Sequence, residues 1–192
     1  MEIFNKKILL NSRSPRRKQI LTQLGFDVQT VVSHCEETYS PNLSPEEVAV
    51  YLATKKGQAY SGKIAENEVL VSADTIVVAG NTILGKPKDE NDAFNMLKNL
   101  SNSAHKVITG CFIKDNSSFK QFFETTQVVF SALTDEEIRY YISKYSPLDK
   151  AGAYGIQEWV GMIGISEIKG DYYNVMGLPA HKLWQHLHAL KK

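Results

Sequence analysis

A chain of 192 residues, 43% hydrophobic and 22% charged, has the size and balance of an ordinary soluble domain that can bury a substantial core. Its 22 basic and 21 acidic side chains leave a formal net charge of +1, which argues against polymeric nucleic acid as a partner because that role demands a basic face. Cys35 and Cys111 stand alone without metal-ligand spacing, no apolar run approaches the ~20 residues that span a bilayer, and the N-terminal run is too short for a signal peptide. The expectation is a cytoplasmic protein with reduced thiols and no membrane partner.

In chain order, Lys7 to Leu10 reads as a strand. The stretch NSRSPRRK, residues 11–18, then opens a helix to Leu24, with Ser14 as N-cap, Pro15 as first helical residue and Gly25 at the C′ position. Phe26 to Val32 alternates like a half-buried strand. From Ser44 a helix is predicted with Pro45 opening it, Glu47 completing a capping box and Gly62 stopping it. Glu68 to Ala73 predicts a buried strand ending at Asp74-Thr75, followed by a hairpin turning at Gly80-Asn81. Asp89 caps a third helix with Ala93, Phe94, Met96, Leu97 and Leu100 on its apolar face, and Lys106 to Ile113 and Phe122 to Phe130 have strand composition. Thr134 to Glu137 is a second capping box, opening a helix to about Lys144; Trp159 to Ile168 predicts a strand, and Pro179 opens a last helix with Leu183, Trp184, Leu187 and Leu190 on one side. With no repeat or linker, the alternation followed by hairpins predicts a mixed α/β sheet with flanking helices in a single domain, 1–192.

Three cations, Arg16, Arg17 and Lys18, occupy the first turn of the first helix, where a helix dipole normally attracts carboxylates. Exposed backbone N–H groups, the hydroxyls of Ser12 and Ser14 and two guanidinium forks are a site for phosphate, and an anionic ligand resolves the conflict; a solvated basic surface is the plain alternative. It is not a P-loop, since GxxxxGK[ST] is absent. In VSADT, residues 71–75, Asp74 offers a base or a metal ligand at a strand end and Thr75 a hydroxyl, against a turn-capping role. Lys86 projects from the turn GKP, a weak phosphate signal by itself. Glu37 offers a carboxylate of the kind that holds Mg²⁺, and Lys56 lies on the capped helix where a solvated face is the default. In DKAGAYGIQ, residues 149–157, small residues let backbone approach a ligand and the amide of Gln157 can read a base edge. Cations, carboxylates and polar base readers fit metal-assisted attack on a phosphate chain better than acyl transfer.

Taken in order, SxSPRR, ADT, GKP, DKAGAYGIQ and GDYYNVMGLP resemble the Maf family of nucleotide pyrophosphatases over nearly the whole chain, from about Ile8 to Leu190. The resemblance implies a mixed α/β fold like that of the inosine-triphosphate house-cleaning enzymes, with two lobes around a cleft. It also implies homodimers, a divalent cation (Mg²⁺ or Mn²⁺), and hydrolysis of a nucleoside triphosphate to the monophosphate plus pyrophosphate. By position, Asp74 matches the family's active-site acid, a proton acceptor. Arg16, Thr75 and Gln157 match positions that mark substrate choice, in a combination resembling the dTTP/UTP branch rather than the 7-methyl-GTP branch. Ser12, Arg17, Glu37, Lys56 and Lys86 match further positions associated with activity. Asn11 and Glu158-Trp159 depart from the family pattern at the pocket rim. A nucleotide-binding protein that restrains septum formation without turnover is the reading of a different class.

Overall fold

A computed structural model describes residues 5–189; Leu190, expected on the last helix, lies outside them. The elements are β1 (Lys7–Asn11), α1 (Pro15–Gln23), β2 (Asp27–Val31), α2 (Pro45–Gln58), β3 (Glu68–Ala79), β4 (Thr82–Leu84), α3 (Glu90–Leu100), β5 (Ala104–Lys114), β6 (Phe119–Phe130), α4 (Asp135–Tyr145), α5 (Trp159–Gly164), β7 (Ile165–Lys169), α6 (Tyr172–Met176) and α7 (Ala180–Ala189). The strands form one seven-stranded mixed sheet in the order β2-β1-β3-β5-β6-β7, with β4 against β3. β1 runs parallel to both β2 and β3, while the β3–β4 and β6–β7 pairs are antiparallel. This is the mixed α/β class expected. By its contacts the chain divides into two compact units, one of residues up to Asp74 with Thr109–Glu124 and the chain from Gly177, the other of Thr75–Ile108 and Thr125–Met176.

In the first unit, Leu9, Ala53, Leu70 and Phe112 form a core cluster onto which Val31, Tyr60 and Ile64 pack. Two glycines set how closely α2 approaches the sheet. A Cβ on Gly57 would fall 2.2 Å from the Phe112 ring, and one on Gly110 would fall 2.2 Å from the backbone of Ala49. Glycine inside a helix costs ~1 kcal/mol against alanine, and here it allows a contact no other residue fits. In the second unit, buried Asn174 donates from Nδ2 to the Val107 carbonyl and to Thr126 Oγ1, both at 3.0 Å, tying the GDYYNVM segment to the sheet.

Three expectations change. The strand through Asp74 does not end there but runs on unbroken to Ala79, because Ile76, Val77 and Val78 continue its buried face. The run Trp159 to Ile168 is helix α5 followed by β7, not one strand. Its apolar residues carry no visible period, but the buried pair Val160 and Gly164 is spaced by one helical turn while Met162 is 73% exposed. Finally, α2 ends at Gln58 rather than Gly62, with Ala59 as C-cap.

The second unit also carries a buried titratable group. His105 is 3% exposed, its Nε2 lies 2.7 Å from the Tyr154 hydroxyl, and the ring stacks on Phe130. Burial pushes its pKa from the ordinary 6.5 down to about 4. The unfolded chain therefore binds a proton near pH 6.5 that the native state refuses until about pH 4. The stability due to the neutral ring is present in full above pH 6.5 and is lost as pH falls toward 4, about 3 kcal/mol across the window. Urea midpoints measured from pH 7 to 4 should fall accordingly. His105→Gln, which can still partner Tyr154 but does not titrate, should flatten that slope; an unchanged slope would assign acid sensitivity to other groups.

Candidate functional site

Why the first turn of α1 tolerates its cations is visible in the side-chain partners. Ser14 caps the helix by accepting from the Arg17 N–H at 3.5 Å, and the Ser14 N–H donates to Ser12 Oγ at 3.1 Å. No carboxylate lies in that turn. Arg17 folds back instead: its Nε donates to the Gly177 carbonyl at 2.7 Å and its Nη1 to Ser12 Oγ at 3.2 Å. Burial lowers the Arg17 pKa, opposed first by the charge of Asp74 and also by that of Glu37, while Arg16 lowers it further. So the guanidinium is held in one place, within electrostatic reach of both carboxylates. Arg16 is half-buried beside it.

Asp74 is only 8% exposed on β3. Its Oδ1 accepts a charge-assisted hydrogen bond from Lys56 Nζ, and Lys56 also pairs with Glu37 Oε1 at 3.0 Å. Lys56 reaches both because it projects from the last turn of α2, which the Gly57 contact with Phe112 holds against the sheet. Asn11 adds a second anchor, donating from Nδ2 to the Lys56 carbonyl at 2.7 Å and accepting from the Ser33 N–H at 2.9 Å. Sequence reasoning treated Asn11 as a departure and missed this role. A polar amide closing the apolar strand Ile8-Leu9-Leu10 is the signal that was available, but its two partners are remote in sequence.

The first unit thus brings Ser12 to Arg17, and Lys56 to Glu37 and Asp74. Arg16 also belongs to the first unit, and Thr75, Lys86 and Gln157 belong to the second. Thr75 follows Asp74 on β3, so the two side chains point to opposite faces of the strand. Lys86 is exposed in the GKP turn, whose Gly85 carbonyl accepts from the Gly152 N–H at 3.0 Å. That bond joins GKP to DKAGAYGIQ, two motifs distant in sequence. Gly152 has φ +69°, and a Cβ there would meet Val77 at 2.9 Å, so both its conformation and its packing call for glycine. Gln157 is half-buried, and its Oε1 is buried without a hydrogen-bond partner among the described residues.

Among the described residues no three His, Cys, Asp or Glu side chains group as a ligand set for a metal ion. Asp74 and Glu37 nonetheless offer two hard carboxylate oxygens drawn to one cation, Lys56. That donor set fits Mg²⁺, which binds through one or two carboxylates plus water and phosphate oxygens rather than an all-protein cage. No helix among the described residues is long and apolar enough to cross a membrane.

Residues 7–190 match the family described as Maf-like protein. A Flavobacterium johnsoniae protein named dTTP/UTP pyrophosphatase is 47% identical over 184 residues, covering 96% of this chain and 95% of its own. A Phocaeicola vulgatus protein of the same name is 46% identical over 186 residues, covering 96% of each chain. Among solved structures, the Staphylococcus aureus Ham1 protein aligns over 97% of this chain and 100% of its own at 17% identity with a TM-score of 0.47, too remote a likeness to bear on the site.

Proposed function

The chain belongs to the Maf family, and on that premise we propose that it is a nucleotide pyrophosphatase hydrolysing dTTP and UTP to the monophosphate plus pyrophosphate. The geometric observation that carries the reading is the buried Asp74 carboxylate, held with Glu37 on Lys56 in the unit that presents the cationic turn of α1. The naming of relatives 47% and 46% identical supports the substrate pair. The chain works as a single catalytic domain, a homodimer in the cytoplasm.

In this mechanism Ser12 and Arg17 hold the phosphate chain with the N–H groups of the α1 N-terminus, and Lys86 is carried over from the family resemblance as a phosphate-binding lysine. A water attacks the α-phosphorus and pyrophosphate leaves in line. Asp74 accepts the proton of that water at a carboxylate oxygen. Glu37, with Asp74 where its carboxylate is free to coordinate, would hold a divalent cation, which would supply charge neutralisation on the phosphate chain. The phosphates are common to every nucleotide, so choice falls to groups that reach the base, assigned here to Gln157; Arg16 and Thr75 match the family's substrate-choice positions, with the Thr75 side chain on the face of β3 opposite Asp74. Gln157 Oε1 is an acceptor suited to the N3–H of uracil or thymine. A base that offers no donor there leaves buried polar groups unpaired, costing ~1–3 kcal/mol for each.

The test is a panel of dTTP, UTP, CTP, ATP, GTP and 7-methyl-GTP with Mg²⁺ or Mn²⁺, scored separately for pyrophosphate and orthophosphate. Pyrophosphate from dTTP and UTP at roughly tenfold or more over the others is expected. Equal rates on all six, or orthophosphate alone, overturn the reading. A preference for 7-methyl-GTP moves the chain to the sister branch, and tight binding without turnover favours a nucleotide-sensing role.

A further inference from the structure

Gln157 occupies a tight turn in which the Glu158 N–H donates to the Gly155 carbonyl at 3.0 Å. Both ends of that turn are fastened to one hydroxyl. Tyr141, fully buried on α4, accepts the Gly155 N–H at 3.0 Å and donates its own O–H to Glu158 Oε2. The other carboxylate oxygen, Oε1, pairs with Lys150 Nζ at 3.2 Å, and Lys150 also holds Asp149 at 2.8 Å. Lys150 itself is only 7% exposed. Burial first, and the bond to Glu158 second, raise the Tyr141 pKa far above its ordinary value, so the phenol remains a donor at any working pH.

A buried Lys–Glu pair is poor value as packing, since apolar residues of similar volume commonly stabilise as well or better. What the pair and the phenol do is fix geometry: the Gly155 N–H, the Tyr141 hydroxyl, both Glu158 carboxylate oxygens and the Lys150 ammonium each have a set partner. The turn is also tightly approached, because a Cβ on Gly155 would lie 2.8 Å from Glu158 Cδ and 3.2 Å from Gln157 Nε2. Gln157 Nε2 thus lies over Gly155, while Oε1 is buried and has no partner among the described residues. An amide's two ends look alike in shape but are opposite in hydrogen bonding, so its selectivity depends on not turning over.

We propose that the Tyr141–Glu158–Lys150 clamp fixes the turn that carries Gln157, so that its unpartnered Oε1 accepts the N3–H of a uracil or thymine base on binding, making Tyr141 and Glu158 positioning residues for base selectivity. The inference rests on the function proposed above. Cytosine is the informative competitor: its N3 accepts rather than donates, so it meets Oε1 acceptor to acceptor, and a loosened Gln157 that turns over would accommodate it.

The experiment measures kcat and KM on UTP and CTP for wild type, Tyr141→Phe, Glu158→Ala and Glu158→Gln. Tyr141→Phe and Glu158→Ala should lower the UTP:CTP ratio of kcat/KM about tenfold, mainly through KM for UTP. Glu158→Gln keeps an acceptor for the Tyr141 hydroxyl and should stay within about threefold of the wild-type ratio. The ratio does not depend on how much enzyme is folded, so a purely structural role leaves it unmoved. If Tyr141→Phe does not fold, Glu158→Ala carries the same test with the ring in place. A selective wild type whose variants remain equally selective overturns the clamp alone. A wild type that treats UTP and CTP alike, or releases no pyrophosphate, overturns the functional reading and the clamp's role with it.

Discussion

Asp74→Asn should cut kcat for UTP by about three decades or more while leaving the fold intact. The substitution keeps the volume of a side chain that is 8% exposed, and its amide oxygen can still accept from Lys56. Lys56 also retains Glu37 at 3.0 Å, so no buried ammonium is stranded. What disappears is the negative charge, and with it both proposed uses of the group, as proton acceptor and as metal ligand. The two uses separate on a reading other than turnover. Mn²⁺ binding followed by electron paramagnetic resonance should weaken in Asp74→Asn if the carboxylate holds the ion, and stay unchanged if it only accepts the proton. Wild-type kcat in the variant would remove Asp74 from the centre of the mechanism.

What could be read in advance was what is local in the chain. The capping boxes of Ser44 with Glu47 and Thr134 with Glu137 form as predicted, since each is written within four consecutive residues. The same holds for Asp89 capping α3 and for Gly25 with φ 91° after α1. What failed to show was periodicity masked by uniform apolarity. Around α5, the sequence Trp-Val-Gly-Met-Ile-Gly offers no polar residue to mark which side faces out, so helix and strand look alike. Around Asp74 the same uniformity hid a strand that continues, because an acidic residue in a buried strand looks like its end until a cation on another element is seen to pair with it.

The candidate site was legible as a set of residue types and illegible as an arrangement. A basic first turn on α1 announces an anion through electrostatics alone. That Lys56 rather than solvent answers Asp74 depends on α2 lying against β5, which in turn depends on Gly57 and Gly110 having no side chain. Lys56 would be read as a solvated cation on any helical wheel. Its resemblance to a family position identified it before any physical signal did, and the ion pairs supply the physical account. Tyr141 had no signal in the sequence; only its contact with both ends of the Gly155–Glu158 turn distinguishes it from a core aromatic.

Arg17→Ala should lower kcat/KM for UTP by roughly two to three decades. The guanidinium is fixed before any nucleotide arrives: Gly177 and Ser12 hold two of its nitrogens, and the same Ser12 hydroxyl receives the Ser14 N–H. Binding phosphate therefore costs little further ordering of this side chain, and burial makes its charge act through a poorer dielectric than water. Arg17→Lys keeps the charge but loses the planar fork that reaches Gly177 and Ser12 together, so it should recover only about a decade of the loss. Lys18→Ala is the control, since Lys18 shares the turn but is exposed; it should stay within about threefold of wild type, as screened surface charges do. Arg17→Ala also leaves the Gly177 carbonyl without this donor, so its urea midpoint should drop by the equivalent of ~1 kcal/mol. That loss is far too small to account for the kinetic defect at saturating folded protein. If Arg17→Ala and Lys18→Ala behave alike, the cations of the first turn act only as a diffuse surface field and the phosphate site lies elsewhere.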